Sequence, residues 1–167
     1  MEVRFASSPQ AVKCMDTQEL RREFLLEGLF EADSIPLVYS HIDRIIAGSA
    51  VPVKGALQLS AGSELRAQYF LERRELGLIN IGGPGLVVVA GHEYSLRPRD
   101  GMYIGRGSKE VSFHSKDQQN PAKYYLNSAP AHKEYPTVLI KPEECENVEL
   151  GTLEESNHRV ICKYIRP

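Results

Sequence analysis

From Ile35-Pro36 onward, apolar residues fall in short runs or alternate with polar ones, and Gly or Pro separates one run from the next. The pattern predicts β-strands over 37–42, 76–81, 86–90, 92–96, 101–104, 111–114, 123–126 and 137–140, with a last strand over 159–165. Gly82-Gly83-Pro84-Gly85 and Gly91 mark tight turns between neighbouring strands. Too little chain lies between the runs for crossover helices, so a sandwich or barrel is expected and a parallel α/β sheet is not. Residues 141–156 are acidic and read as a loop with one helical turn after Pro142. Ahead of the strands lies one good helix start. Asp16 caps the first turn, Glu19 reaches back to it, and Leu20 and Phe24 follow four apart on one face. Gly28 is expected to end that helix. Residues 1–34 thus read as an arm with a short helix, and 35–167 as an all-β domain.

Composition narrows the function classes. The 167 residues carry 20 Lys and Arg against 22 Asp and Glu, for a net charge of -2. No basic excess is available to hold a phosphate backbone, so nucleic acid is not an expected partner. Nothing approaches the ~20 consecutive apolar residues of a membrane helix, and no signal-peptide run is present, so a cytoplasmic location without a membrane partner is expected. Cys14, Cys145 and Cys162 form no C-x-x-C pair and read as incidental thiols.

Candidate chemistry is sparse. Glu72-Arg73-Arg74-Glu75 is the densest charge cluster. On a strand, Tyr69, Arg73 and Glu75 would share one face, and Glu72 and Arg74 the other. One arginine could grip a carboxylate through its planar fork, or the four could form an Arg–Glu ion-pair ladder in the barrel or at a subunit contact. His41, in Tyr39-Ser40-His41-Ile42-Asp43-Arg44, is either an acid–base residue or a hydrogen-bonded structural one. Glu75 with His41 is the one acid–base pair that could act without a metal. His92 reads as surface, and His132 sits in a rigid Pro130-Ala131-His132 segment that faces either a neighbour or solvent. The Gly82–Gly85 turn lacks a following Lys-Ser/Thr and is not a phosphate loop, and no Ser lies in a G-x-S-x-G elbow.

Glu75 followed by Gly82, then Gly85, Gly91, Asp100 and Gly107, resembles the spacing of the two cupin motifs. That resemblance implies a cupin-like β-barrel, or double-stranded β-helix. The positions where a cupin carries metal-binding histidines hold Tyr69 and Leu71, or Gln68 and Phe70 in the alternative spacing, and Glu110. Glu75 and Glu110 alone could bind a cation, and two carboxylates without imidazole make a poor zinc or iron site. A metal-free barrel is expected.

Longer phrases carry a more specific likeness. Tyr39-Ser40-His41-Ile42-Asp43-Arg44-Ile45-Ile46, Tyr69-Phe70-Leu71-Glu72-Arg73-Arg74-Glu75-Leu76-Gly77, Ile79-Asn80-Ile81-Gly82-Gly83, Pro121-Ala122-Lys123 and Tyr135-Pro136-Thr137 resemble the 5-keto-4-deoxyuronate isomerase family. Lys163-Tyr164-Ile165 fits as well, while His158 and Cys162 depart from the usual Arg and Asn. The likeness runs from about Asp16 to Pro167. It implies a bicupin, homohexameric ketol-isomerase of pectin and uronate breakdown. The substrate would be a deoxy-keto-uronate, 5-dehydro-4-deoxy-D-glucuronate, converted to 3-deoxy-D-glycero-2,5-hexodiulosonate. It also implies zinc, held in a second barrel by an H-x-H, a Glu and a later His that this chain lacks. Ketol isomerisation needs an electrophile at the carbonyl and a group to handle protons. The chain is therefore expected to be a fragment or a split gene product, a scaffold half that is inactive alone. Arg73, Arg74, Glu72, His41, Arg44 and His132 are the candidates for a substrate-pocket wall. The competing expectation is a free-standing, non-catalytic module that binds a sugar acid or a protein.

Overall fold

The structure, a computed structural model, describes residues 1–165. The last two positions of the 35–167 domain lie outside the described residues. In chain order the elements are β1 (Glu2–Arg4), α1 (Pro9–Val12), α2 (Thr17–Phe24), β2 (Leu37–Ser40), β3 (Ile46–Ala50), β4 (Leu57–Gln58), β5 (Arg74–Asn80), β6 (Gly85–Val89), β7 (His92–Leu96), β8 (Gly101–Ile104), β9 (Val111–Ser115), β10 (Tyr124–Pro130), β11 (Val138–Ile140), β12 (Glu146–Leu150) and β13 (Arg159–Lys163). Single 3₁₀ turns cover Ser63–Leu65 and Pro142–Glu144.

Seven strands form one sheet in the order β1-β2-β3-β10-β5-β8-β11, and four form a second in the order β4-β9-β6-β7. All pairings within them are antiparallel except β1 with β2. This is the expected all-β, cupin-like arrangement. The reason is visible in β5, where Arg74, Leu76, Leu78 and Asn80 are buried and Glu75, Gly77 and Ile79 are not. Val87 and Val89 of β6 and Phe113 of β9 face them from the second sheet, and Met102, Ile104, Tyr124 and Leu126 complete the core. Tyr124 ties β10 to β9, because its Oη donates to the His114 carbonyl at 2.9 Å. Gly85 makes room for that phenol, since a Cβ there would fall on Tyr124 Oη and lie 2.7 Å from Ala122 Cβ. Asn80 is fully buried at the end of β5. Its Nδ2 donates to the Gly83 and Leu96 carbonyls, and its Oδ1 accepts from the Gly82 and Lys123 amides.

Several expectations need correction. Residues 69–73 are turns and bends, and β5 begins only at Arg74, so Tyr69, Arg73 and Glu75 do not share a strand face. Residues 146–150 of the supposed acidic loop pair with β13 in a separate two-stranded hairpin, while the helical turn after Pro142 is present. The capping box forms, with Glu19 N donating to Asp16 Oδ1 at 2.8 Å and Asp16 N donating to Glu19 Oε2 at 2.9 Å. The helix ends at Phe24 and not at Gly28, because Leu25 is already extended. Leu20 and Phe24 remain exposed, so this helix covers no core. In the arm, β1 adds an unanticipated strand to the larger sheet beside β2.

Candidate anion-binding cleft

At one end of the barrel four stretches of chain meet around a cleft of about 530 Å³. They are the turn after β2, residues 64–74 leading into β5, the 105–107 turn, and residues 130–132 at the end of β10. Together they bring in five arginines: Arg44, Arg66, Arg73, Arg74 and Arg106. Glu64 is the one carboxylate on the wall, and it already faces the N-terminal ammonium of Met1 at 3.6 Å. Among the described residues, none of the five guanidiniums forms an ion pair with a carboxylate.

Backbone carbonyls hold three of the arginines in place. Arg74 is 6% exposed. Its Nε donates to Ser128 Oγ at 3.1 Å, and its Nη2 donates to the Ser128 and Arg44 carbonyls at 2.8 and 2.6 Å. The guanidinium also lies 5.7 Å from the centre of the Tyr39 ring. Arg73 Nη2 donates to the Leu65 and Arg66 carbonyls at 3.1 and 2.8 Å. Arg106 Nε donates to the Glu72 carbonyl at 3.2 Å, and its Nη1 donates to the Ala131 and His132 carbonyls at 3.1 and 3.3 Å. Among the described residues Arg44 and Arg66 make no side-chain hydrogen bond, and they stand on left-handed turn residues, with φ of 56° and 47°. The Arg–Glu ladder is therefore absent among the described residues, since the arginines' partners are carbonyls and a hydroxyl. Burial pushes the Arg74 pKa below its ordinary value, and the nearby Arg44 charge adds to that fall against an opposing effect of Tyr39.

Of the six candidates for a pocket wall, Arg44, Arg73, Arg74 and His132 line this cleft. Glu72 does not line it, but its backbone carbonyl accepts from Arg106 Nε, while its carboxylate accepts from the Gln68 amide. His41 stacks on Phe5 at 4.3 Å and meets the edge of Tyr39 at 5.2 Å, and it does not line the cleft. Sequence reasoning did not single out Arg66 or Arg106. The signal available for Arg106 was its place between Gly105 and Gly107, a tight turn that carries a long cation.

The cupin metal positions do not fit a metal. Phe70 and Leu71 are buried in the core, at 3% and 0% exposure. Glu75 points outward from the larger sheet and accepts from Tyr103 Oη at 2.8 Å. Burial, and then the hydrogen bond to Glu75, push the Tyr103 pKa upward. Glu110 lies with Gln58 and Ser112 on the outside of the smaller sheet. Two carboxylates on the outer faces of different sheets cannot share a cation. Among the described residues no three His, Cys, Asp or Glu side chains come together as a ligand set. Glu75 and His41, the candidate acid–base pair, have different partners and do not meet.

Comparison with known proteins places the chain. It is 65% identical over 167 residues to the 4-deoxy-L-threo-5-hexosulose-uronate ketol-isomerase of Lachnoclostridium phytofermentans, covering all of this chain and 60% of that protein. It is 52% identical over 167 residues to the protein of the same name from Caldicellulosiruptor bescii, again covering 60% of it. The chain thus spans about 60% of the length of these relatives. Among solved structures, an IolB-like protein from Salmonella typhimurium LT2 superposes with a TM-score of 0.53 at 18% identity, over 70% of this chain and 42% of that one, which supports the fold alone. No helix among the described residues is long and apolar enough to cross a membrane. Residues 26–167 match the model of the KduI/IolB family. With that match over most of its length, and with relatives of 50–65% identity along the whole of it, the chain belongs to the KduI/IolB family.

Proposed function

We propose that this chain is the metal-free barrel of a ketol-isomerase that interconverts 5-dehydro-4-deoxy-D-glucuronate and 3-deoxy-D-glycero-2,5-hexodiulosonate during uronate breakdown, and that it is inactive alone. The observation that carries this reading is the lack of imidazole at the cupin ligand positions. In either spacing one position is a core side chain, Leu71 or Phe70, and the other is Tyr69 or Gln68. The names and identities of the relatives support the reaction class. Zinc would polarise the sugar carbonyl in such an enzyme, and the side chains described here offer it no ligand set. The role left to this chain is to bind and to scaffold within a homo-oligomer. Arg44, Arg73, Arg74 and Arg106 would hold the sugar's carboxylate, with His132 at the edge of the same cleft.

The cleft also favours a second reading, a free-standing module that binds a sugar acid without turning it over. One assay separates the two. The purified chain is given 5-dehydro-4-deoxy-D-glucuronate, with and without zinc, alone and mixed with the separately produced remainder of the Lachnoclostridium relative. The isomerase reading predicts no turnover alone and zinc-dependent turnover in the mixture. Zinc-dependent turnover by the chain alone would overturn it, and silence in both would leave the module.

A further inference from the structure

We infer that the arginine cleft binds a short chain of acidic sugars, with two or three carboxylates, in preference to a single sugar acid. The inference rests on the uronate reading above for the kind of sugar and on the cleft for its length. One uronate carries one carboxylate and could engage one or two guanidinium forks. The cleft gathers five arginines, and its only carboxylate among the described residues, Glu64, is already engaged by the N-terminus. Holding like charges together in a partly buried place costs free energy unless a ligand neutralises them. The ligand that matches the surplus carries several negative groups spaced along its length.

The arrangement of free donors points the same way. Among the described residues, Arg74 Nη1, Arg106 Nη2, and Arg73 Nε and Nη1 have no hydrogen-bond partner, while the rest of each guanidinium is tied to carbonyls and, for Arg74 Nε, to the Ser128 hydroxyl. These three present fixed edges that need little ordering on binding. Arg44 and Arg66 come from two separate turns and have no side-chain hydrogen bond or ion pair among the described residues, so they can close on carboxylates beyond the first. Phe70, Leu65, Tyr39 and Pro130 supply apolar wall between the charges, which suits the C–H faces of sugar rings. The volume of about 530 Å³ lies in the ~300–1,000 Å³ range of small-molecule sites. Phosphate sites built on backbone amides look different, because here the backbone groups facing the guanidiniums are carbonyls.

The test is calorimetric titration of the 167-residue chain with galacturonate, digalacturonate, trigalacturonate and inorganic phosphate. Affinity should rise at least about ten-fold from the monomer to the trimer, since each added charged contact is worth about that factor. Exchanging Arg66→Gln should remove part of that gain and leave monomer affinity within about two-fold. Equal affinity for all three uronates would overturn the inference, as would phosphate binding as tightly as the trimer, or no binding. The length series is read on the wild-type chain, so it stands even where the variant folds poorly. Because binding is measured without turnover, failure here is distinct from failure of the isomerase reading.

Discussion

Arg74 is a buried cation with no carboxylate partner, and removing it tests whether it is there for stability. In Arg74→Met the apolar stem is kept and three hydrogen bonds are lost, to Ser128 Oγ and to the carbonyls of Ser128 and Arg44. Charge-assisted hydrogen bonds contribute ~1.5–3 kcal/mol each, so the gross loss is about 5–9 kcal/mol. Against it stands the effective cost of burying the ion, several kcal/mol, which the methionine does not bear. Repulsion from Arg44 also disappears. The two sides nearly cancel, and the expected net change is within about 2 kcal/mol of zero. Urea unfolding followed by circular dichroism measures it, with the slope checked for two-state behaviour. Salt provides a second handle. Raising sodium chloride from about 0.05 to about 0.5 M should stabilise the wild type relative to Arg74→Met, because it screens the crowded guanidiniums. A loss above about 4 kcal/mol that salt does not change would refute the reasoning and make Arg74 a structural pin.

Two further predictions concern the frame at the end of the barrel away from the cleft. Gly85→Ala should cost about 1–3 kcal/mol through overpacking against Tyr124 and Ala122, and adding Tyr124→Phe should relieve part of it, giving a coupling of at least about 0.5 kcal/mol in a double-mutant unfolding cycle. Strict additivity would mean that the phenol does not occupy that space. Asp33 accepts the Lys54 and Val53 amides, and those bonds hold its carboxyl below the ordinary value of 3.8. A lowered folded-state pKa gives stability that is present above the unfolded value and lost as pH falls through the folded one. Wild type should therefore exceed Asp33→Asn in stability above about pH 4 and lose that lead at lower pH, whereas parallel curves from pH 3 to 6 would contradict the clamp.

What the sequence made legible follows from which signals are local. β7 and β8 match their predicted spans because Gly91, Pro98 and Gly101 punctuate a regular apolar pattern. β3 escaped notice because Ile46–Ala50 is mostly small residues, and Gly48 is there to let Leu37 and the Pro36 carbonyl approach. β1 and β4 are too short to show a period, and β12 pairs with β13 despite an acidic composition. The cleft was half legible. Arg73 and Arg74 stand in an obvious charge cluster, and Arg44 and His132 sit in distinctive phrases. Arg66 and Arg106 come from turns 40 residues apart that only the folded barrel brings together. The lack of imidazole at the cupin ligand positions was legible outright, because residue identity decides it. Phe70 and Leu71 cannot ligate a metal wherever they lie.

The most direct test of a barrel without a metal is its zinc stoichiometry. Purified chain is dialysed against micromolar zinc and then zinc-free buffer, and its metal content is measured by atomic spectroscopy. The account predicts well under one zinc retained per chain. One tightly held equivalent, lost in Glu75→Gln or Glu110→Gln, would contradict it, because those carboxylates would then have to come together in a site that the fold keeps apart.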